Sequence, residues 1–513
     1  MEFYFICSSL LLFFIFLFAY TAIHDIKEHT SPWSVFLFCA ILTFVFKSDF
    51  GIHFWGLEYE DAYSFSFCAR QFPYGIYPSS FLIDAISIGS LENPLSTSTY
   101  GGHFITYPIF ISLFTNIFGW SPDLISIINT FTAFCILLVL AIFRKDNKYW
   151  FITPILFCCA PIINVFTTCF LSETFSSLIC ITFIYTFFQK KNSLGKVLCI
   201  TSFGIALLCK RENLALGLIP ILEYIYVVYK TKDLQSTDYI IKQIVPFAII
   251  IVIYFWGFQN VFDIERIESK DIGLQTFSIQ NFINQFPVFV KSLLSINIFT
   301  ITFYLYIGYT IYNLLNNESI SKETLLTTSL FIFYLILYSS HYRGYFYTRG
   351  EEFSPFETYR YINNIYYLIP LSFCGINSQI KLKSIIIITL ITLCCFSFIS
   401  TIKLRNYFNQ IEYQIRFKDT EIVSDYIKSH SNKIPFLVSD NILLYQNICD
   451  NNFNVCDIRL FEQLRLNASK FDYYYLLSDK AYLKERYSIE IDMQKLIPLL
   501  QLSNDAILYK YTP

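Results

Sequence analysis

Charged residues are scarce in this sequence. Asp, Glu, Lys and Arg make up 15% of the 513 residues, whereas hydrophobic residues make up 55%. A soluble protein of this length needs far more polar surface, so the composition excludes that class and predicts a polytopic membrane protein. The formal net charge is −2, and no run of basic residues indicates a nucleic-acid partner.

Sequence motifs for several other chemistries are missing as well. The chain contains no P-loop, no GxGxxG and no zinc-spaced Cys/His cluster. Most of the 15 cysteines lie in apolar runs, where cysteine behaves as a small apolar residue. Cys449 and Cys456 differ because they lie in a polar stretch that we expect to face an oxidising compartment. Their spacing is compatible with a disulfide and also with two separate buried thiols.

Apolar runs near the length of a bilayer span, about 20 residues, recur along most of the chain. They predict an α-helical protein with about 11 to 13 transmembrane helices. We place the runs at 3–21, 34–50, 122–143, 150–168, 172–188, 197–209, 212–229, 242–258, 290–313, 324–340, 362–378 and 384–402. The apolar stretch 104–118 is shorter and lies between polar loops, so we interpret it as an interfacial helix lying on the membrane.

Lys and Arg predict the orientation, because they are enriched in cytoplasmic connectors. They collect in short connectors that fall on one side: Arg144, Lys145 and Lys148; Lys190, Lys191 and Lys196; Lys230 and Lys232; Lys381 and Lys383. The loops 51–121, 259–289 and 341–361 are then extracytoplasmic, as is the tail from 403 onward. The first run has no basic start and no small-residue cleavage site, so we interpret it as a span whose N-terminus lies outside.

The tail has a different composition from about residue 405 onward, with more charge and the periodicity of a soluble domain. The patterns predict helices at 421–430 and 481–487 and strands at 434–440, 471–478 and 505–512. We therefore predict a transmembrane module at 1–403 and an extracytoplasmic α/β domain at 404–513. A unit of about 100 residues is large enough to bury a core of its own.

Three carboxylates stand close together in the first large loop. The stretch 57–71 reads LEYEDAYSFSFCARQ and contains Glu58, Glu60 and Asp61. Charged groups near a bilayer are costly unless they serve a site or reach water. The acids could simply be solvated, or one of them could be a general base that takes a proton from an acceptor hydroxyl.

The same loop carries further motifs in a fixed order. Glu60-Asp61-Ala62-Tyr63 is followed by Ala69-Arg70 and then by GGHFITYPIFISLFTNIFG at 101–119. Three later stretches continue the series: VFTTCFLSETFSSLI with Glu173, GIALLCKRENLALGLIP with Lys210 and Arg211, and FETYRYINNIYYLIP with Arg360 and Tyr361.

This series resembles the membrane glycosyltransferases of the GT-C superfamily over roughly residues 40–400. The closest similarity is to the branch that holds protein O-mannosyltransferases and the bacterial aminoarabinose and lipopolysaccharide-core sugar transferases. In that branch the loop reads Asp-Glu-Ala-Tyr-Tyr and later Lys-Pro-Pro-Leu-Tyr. Here the acids are exchanged, and His103 and Pro108 stand where Lys-Pro-Pro is usual. Which carboxylate is the base is therefore open.

The resemblance implies a sugar donor linked through phosphate to a polyprenol. A phosphate at the membrane surface needs cations, and a cation already in place stabilises the charge that develops on the leaving phosphate. The candidate phosphate-binding residues are Lys210, Arg211 and Arg360, followed by Arg343 and Arg349. The alternative for all of these side chains is that they are anchors reaching water at the ends of spans.

The implied reaction is a single displacement with inversion at the sugar carbon, in which Glu60 or Asp61 is the base. Glu173 could orient the acceptor, position the base or cap its helix. Weaker candidates for contacts with donor or acceptor are Glu58, Tyr63, His103 and Tyr361.

We expect no cofactor, although the adjacent acids could bind a divalent ion, as in the oligosaccharyltransferase branch of the superfamily. The expected partners are the polyprenyl-phosphate-linked donor, membrane lipids and a glycan, lipid or protein acceptor. The expected location is the plasma membrane with an extracytoplasmic site, or the endoplasmic reticulum with a lumenal one. A flippase for lipid-linked sugars and a polysaccharide polymerase or ligase are alternatives. The first would show internal repeats, and the second would carry its acid pair late in the chain.

Overall fold

A computed structural model of the protein describes part of the chain. The described residues are 2–29, 31–47, 69, 82–88, 96–104, 106–119, 122–143, 150–159, 172–189, 192–231, 240–260, 279–294, 304, 307–308, 311, 322–340, 366–372, 392, 395–396, 398–399, 402, 422–439, 454–457, 471–477, 491–502 and 506–511.

The first four-fifths of the described chain is a bundle of apolar helices. They are α1 (Glu2–Glu28), α2 (Pro32–Lys47), α3 (Thr106–Phe118), α4 (Pro122–Ile142), α5 (Ile152–Cys158), α6 (Glu173–Gln189), α7 (Ser193–Cys209), α8 (Leu218–Thr231), α9 (Val245–Asn260), α10 (Ile279–Leu294), α11 (Lys322–Ser340) and α12 (Leu368–Ser372). A 3₁₀ helix at Arg211–Gly217 leads into α8, and a π-helical turn at Ile240–Ile244 leads into α9.

Four helical stretches among the described residues are long and apolar enough to cross a bilayer: Tyr4–Glu28, Leu124–Ile142, Glu212–Lys230 and Lys322–Ser340. Shorter apolar helices accompany them at Pro32–Val45, Thr106–Phe118, Ser193–Cys209 and Lys242–Gly257. The predicted class, a helical membrane protein with several spans, is confirmed.

The two ends of the bundle are defined by side chains at opposite ends of α1. At the Glu173 end, Asn116 Nδ2 of α3 donates a hydrogen bond to the Tyr4 hydroxyl at 3.0 Å. At the Asp25 end, the Tyr185 hydroxyl of α6 donates to the Asp25 carboxylate, and the rings of Phe143 and Tyr185 lie 5.7 Å apart. Therefore α1, α4 and α6 begin at the Glu173 end, and α7 returns to it.

Helix α3 corresponds to the stretch that was predicted to lie on the membrane. Its 13 residues rise about 20 Å, too little to cross a hydrocarbon core of about 30 Å. The first half is nevertheless buried inside the bundle, with Tyr107 and Ile111 at 1% and 0% exposure. Ile117 and Phe118 are exposed. The helix is found as predicted, but it enters the bundle because its apolar residues have partners on α1, α6 and α7.

Helix α10 begins inside the stretch 259–289 that was predicted as a loop. Its apolar residues recur at helical spacing, and Phe282 stacks on Phe286 at 4.8 Å one turn later. Pro287 lies within the helix. The polar residues between these apolar positions hid the helical period in the sequence.

A five-stranded sheet lies near the C-terminus, formed by β3 (Ile434–Ser439), β4 (Asn454–Asp457), β5 (Phe471–Leu477), β6 (Leu496–Gln501) and β7 (Ile507–Tyr511). The order of the strands in the sheet is β4-β3-β5-β7-β6. Strand β3 is parallel to β4 and β5, whereas β7 is antiparallel to β5 and β6.

A helix over 422–430 precedes β3 and buries Val423 and Ile427 in a core separate from that of the bundle. The predicted helix at 421–430 and the predicted strands at 434–440, 471–478 and 505–512 match these elements. The helix predicted at 481–487 lies outside the described residues, and so does Cys449.

The large loop after α2 contains an antiparallel hairpin of β1 (Leu82–Ile88) and β2 (Ser96–Phe104), which was not predicted. Strand β2 reads STSTYGGHF and lacks the apolar alternation of a half-buried strand. The hairpin ends two residues before α3, and it therefore connects the first loop to the Glu173 end of the bundle.

Candidate functional site

An ion pair between Glu173 and Lys210 forms the centre of the site. Lys210 Nζ donates to Glu173 Oε1 at 3.2 Å, and the two side chains are 13% and 1% exposed, respectively. A carboxylate buried this deeply in a membrane protein is costly unless it is paired. Such a pair marks a candidate functional site.

Glu173 is the first residue of α6. A negative charge in the first turn of a helix interacts favourably with the helix dipole. The backbone N–H of Ser176 donates to the Ser172 carbonyl at 2.8 Å, which closes the first turn. The dipole and Lys210 therefore both stabilise the ionised form of Glu173.

Polar side chains follow one face of α6 from this end into the bundle. Glu173, Ser176 and Cys180 are spaced three and four residues apart, so they share a face. Ser176 accepts a hydrogen bond from Asn213 Nδ2 at 3.1 Å. The Cys180 thiol lies close to the hydroxyl of Tyr367 in the turn that precedes α12.

A second tyrosine extends this polar face toward α11. The hydroxyl of Tyr334 lies close to that of Tyr367, and both rings are buried at 1% exposure. The two hydroxyls lie farther along the face of α6 that carries Glu173, Ser176 and Cys180.

Helix α3 holds the beginning of α6 and the end of α7 in place. The ring of Phe110 stacks on that of Phe175 at 4.3 Å, two residues after Glu173. The Thr106 hydroxyl donates to the Leu208 carbonyl at 2.5 Å, two residues before Lys210. The Tyr107 hydroxyl donates to Asn129 Oδ1 of α4 at 2.8 Å. The 101–119 motif therefore lies directly beside the ion pair.

The chain breaks from helical geometry at Lys210. Helix α7 ends at Cys209, and Lys210 adopts an extended conformation with φ −154° and ψ 135° before the 3₁₀ helix begins. Lys210 is therefore the residue at which the α-helix ends and the 3₁₀ helix has not yet begun. The break coincides with Lys210 and Arg211, the charged residues that separate the apolar runs 197–209 and 212–229 in the sequence.

The structure brings three of the predicted motif regions to the beginning of α6 and part of a fourth to the middle of that helix. Glu173 and Lys210 are in contact, and the 101–119 motif contacts Phe175 and Leu208, each two residues from a member of the ion pair. Tyr367, seven residues after Arg360, lies beside Cys180 in the middle of α6. Ala69 of the first motif is fully buried in the same hydrophobic core.

Most of the other predicted site residues lie outside the described residues: Glu58, Glu60, Asp61, Tyr63, Arg343, Arg349, Arg360 and Tyr361. For Arg211 and His103 the structure describes the backbone, at the start of the 3₁₀ helix and in β2 respectively, and leaves the side chains undescribed. Their assigned roles stay predictions.

Asn213, Ser176, Cys180, Tyr334 and Tyr367 were not predicted. One signal was present in the sequence: Glu173 and Ser176 are three residues apart, and so are Lys210 and Asn213. Each member of the first pair contacts the corresponding member of the second. Nothing in the sequence alone indicates that the first pair contacts the second.

Within the described part of the chain, one group of side chains has the geometry of metal ligands: His24, Asp25 and Glu28, whose ligand atoms lie within 4.8 Å of one another. It lies at the Asp25 end, opposite Glu173. It is therefore too far from the ion pair to take part in chemistry there.

No protein-family model matches the sequence, and no curated protein matches it. Solved structures do match the fold. The crystal structure of ArnT from Cupriavidus metallidurans bound to undecaprenyl phosphate superposes with a TM-score of 0.54 at 11% identity, covering 94% of this chain and 98% of that one. The apo state of the same protein gives 0.51 at 10% identity with the same coverage. The chain has the fold of these ArnT structures along nearly its whole length, and the GT-C fold predicted from the motifs is confirmed.

Proposed function

We propose that the protein is a membrane glycosyltransferase that moves a sugar from a polyprenyl-phosphate donor to an acceptor hydroxyl, with inversion at the sugar carbon. The observation that carries this proposal is the buried Glu173–Lys210 pair, with helix α3 beside it, in a chain with the ArnT fold.

The fold comparison supports the class of donor. The ArnT structure was obtained with undecaprenyl phosphate bound, a polyprenyl phosphate without its sugar. In our proposal the same kind of lipid phosphate binds at the Glu173 end of this chain, with Lys210 as one of its cations. The Lys210 side chain is 13% exposed, so it is not fully enclosed in the bundle. Arg211, Arg360, Arg343 and Arg349 are the further candidates.

The reaction needs a base and a stabilised leaving group. Glu60 or Asp61 accepts the proton of the acceptor hydroxyl, and the hydroxyl oxygen attacks the sugar carbon. The bond from that carbon to the phosphate oxygen breaks, and its electron pair leaves with the polyprenyl phosphate. Lys210 stabilises the resulting charge, because a cation placed before the reaction needs no reorganisation.

Glu173 holds Lys210 in this scheme. A buried carboxylate 3.2 Å from the amine restricts the position of the lysine side chain through a charge-assisted hydrogen bond. We assign Glu173 to this positioning role, and orientation of the acceptor is its alternative.

We place the site on the extracytoplasmic face, because α4, α6 and α8, which lead into three of the four basic connectors, all end at the Asp25 end. The connector between α6 and α7 carries Lys190 and Lys191 and joins helices whose facing termini lie at that end. The acceptor class stays open among glycan, lipid and protein, and we propose no metal requirement.

The direct test is transfer of a radiolabelled sugar from an undecaprenyl-phosphate donor in proteoliposomes. Lys210→Ala should lower the rate by about 10² to 10³, the effect typical of losing one preorganised group that stabilises charge. Lys322→Ala is the matched control, because it removes the Lys322–Glu223 ion pair at the Asp25 end. If Lys210→Ala transfers at the control rate, the proposed role of Lys210 is wrong.

The base is tested by Glu60→Gln and Asp61→Asn, made separately. We expect one of them to abolish transfer while leaving insertion and thermal stability unchanged. If both proteins keep full transfer, neither carboxylate is the base. Movement of intact donor into the vesicle, without a new glycosidic bond, would favour the flippase alternative.

A further inference from the structure

The break between α7 and the 3₁₀ helix is held by a buried side chain. Asn213 is 4% exposed, and its Nδ2 donates to the Ala206 carbonyl at 2.8 Å and to Ser176 Oγ at 3.1 Å. Its backbone N–H donates to the Lys210 carbonyl at 3.1 Å. One residue of the 3₁₀ helix therefore bonds to α7, to the residue at the break and to α6.

A break in an apolar helix is expensive, because a buried carbonyl without a hydrogen-bond donor costs about 1–3 kcal/mol. The Ala206 carbonyl accepts from the Lys210 N–H at 3.1 Å and from Asn213. The Ala206 carbonyl already has a donor in the Lys210 N–H, so the amide of Asn213 is its second donor and ties the end of α7 to the 3₁₀ helix.

Two hydrogen-bonded pairs, one helical turn apart, connect α6 to the chain at the break. The first pair is Glu173 with Lys210, and the second is Ser176 with Asn213. Because Asn213 bonds to the Lys210 carbonyl and to Ser176, it fixes the height of the Lys210 backbone relative to Glu173. A shift of Asn213 would move the lysine amine along α6.

We propose that Asn213 is a positioning residue that holds Lys210 against Glu173 and aims its amine at the donor phosphate. The inference rests on the proposed function for the identity of the donor. The positioning itself concerns this chain alone and is measurable without any donor.

The first test measures the acylation rate of Lys210 by mass spectrometry in the purified full-length protein. Asn213→Leu keeps a similar volume but removes the amide. We expect the rate at Lys210 to rise roughly fivefold to tenfold, the equivalent of one lost hydrogen bond, while exposed Lys196 reacts as before. An unchanged rate at Lys210 in folded protein would overturn the inference.

Thr153→Val is the matched control for this substitution. The Thr153 hydroxyl is fully buried and donates across helices to the Leu140 carbonyl at 2.9 Å, at the Asp25 end. Its loss should leave the reactivity of Lys210 unchanged. A rise in this variant equal to that in Asn213→Leu would mean that any lost interhelical bond loosens the site, and the specific role of Asn213 would be refuted.

The second test is a double-mutant cycle on sugar transfer. If Asn213 acts through Lys210, Asn213→Leu should slow transfer about tenfold in the native background and have no further effect beside Lys210→Ala. Equal effects in both backgrounds would contradict the positioning role. If Lys210→Ala itself leaves transfer intact, the proposed role of Lys210 at the donor phosphate fails, whereas the acylation result still decides the positioning.

Discussion

Glu173 and Lys210 show how a charge is kept inside an apolar bundle. Removing one partner of a buried pair leaves the other charge uncompensated, which costs about 3–5 kcal/mol, whereas replacing both by apolar residues is often neutral. The stability role and the chemical role of this pair can therefore be separated by mutation.

We expect Lys210→Met to lower the thermal unfolding temperature in detergent, because Glu173 loses its cation. The double variant Glu173→Leu/Lys210→Met should recover most of that loss but stay inactive in sugar transfer. Circular dichroism melts and the transfer assay measure the two outcomes. A double variant that regains transfer together with stability would show that the pair is purely structural.

Tyr185 provides the corresponding prediction at the opposite end. Its hydroxyl donates to Asp25, whose side chain is fully buried. Tyr185→Phe should destabilise the protein by about 1–3 kcal/mol, since a buried carboxylate loses a donor. Transfer per folded molecule should remain native, because the bond lies far from Glu173. A specific loss of turnover without loss of stability would place part of the chemistry at the Asp25 end.

Single residues could be predicted only where the motif itself carries the charge. Glu173 and Lys210 were found because each stands in a motif at the end of an apolar run. Asn213 and Ser176 were missed because their importance depends on a contact between residues 37 positions apart. A distance between helices has no signature in one sequence.

Helix α3 is the element that joins the first loop to the site. Phe110 is 7% exposed and stacks on Phe175 at the start of α6. Phe110→Ala should cost about 3–5 kcal/mol through the cavity it leaves, and it should also slow transfer because α6 loses its support. Ile117→Ala, on the exposed face of the same helix, is the control and should change neither. Unaltered turnover in folded Phe110→Ala would separate α3 from the site.

Helices formed by long, uniformly apolar runs were predictable. The apolar runs at 122–143, 172–188 and 324–340 match α4, α6 and α11 closely, because length and hydropathy decide a span. The run at 3–21 continues to Glu28 in α1, since polar residues of its last turn find partners at the Asp25 end. The hairpin β1–β2 and helix α10 were missed because strand pairing and a half-exposed helix leave weak patterns.

The Glu173 end and the Asp25 end of the molecule are expected on opposite sides of the membrane, and cysteine labelling tests this orientation. In a background without reactive native thiols, cysteines introduced at positions 90 and 270 should react with an impermeant reagent added from outside. A cysteine at position 193, exposed at the Asp25 end, should be protected. Reaction at 193 with protection at 90 and 270 would show that the orientation is the opposite of the predicted one.

Metal dependence of the proposed reaction is also a property of the whole molecule. We expect sugar transfer to survive treatment with EDTA, because Lys210 supplies a cation at the leaving phosphate and the His24–Asp25–Glu28 group lies at the opposite end. The rate before and after chelation, with Mg²⁺ and Mn²⁺ added back, measures this. Loss of activity that is restored by either ion would assign a divalent cation to the site, with the acids of the first loop as its ligands.

The central claim is that the Glu173 end binds a polyprenyl phosphate through Lys210. Native mass spectrometry of the full-length protein with undecaprenyl phosphate measures this binding without any assumption about the sugar or the acceptor. We predict that the native protein and Lys322→Ala bind the lipid equally and that Lys210→Ala binds it at least about tenfold more weakly, the loss expected for one charge-assisted hydrogen bond. Equal binding by all three proteins would contradict the claim.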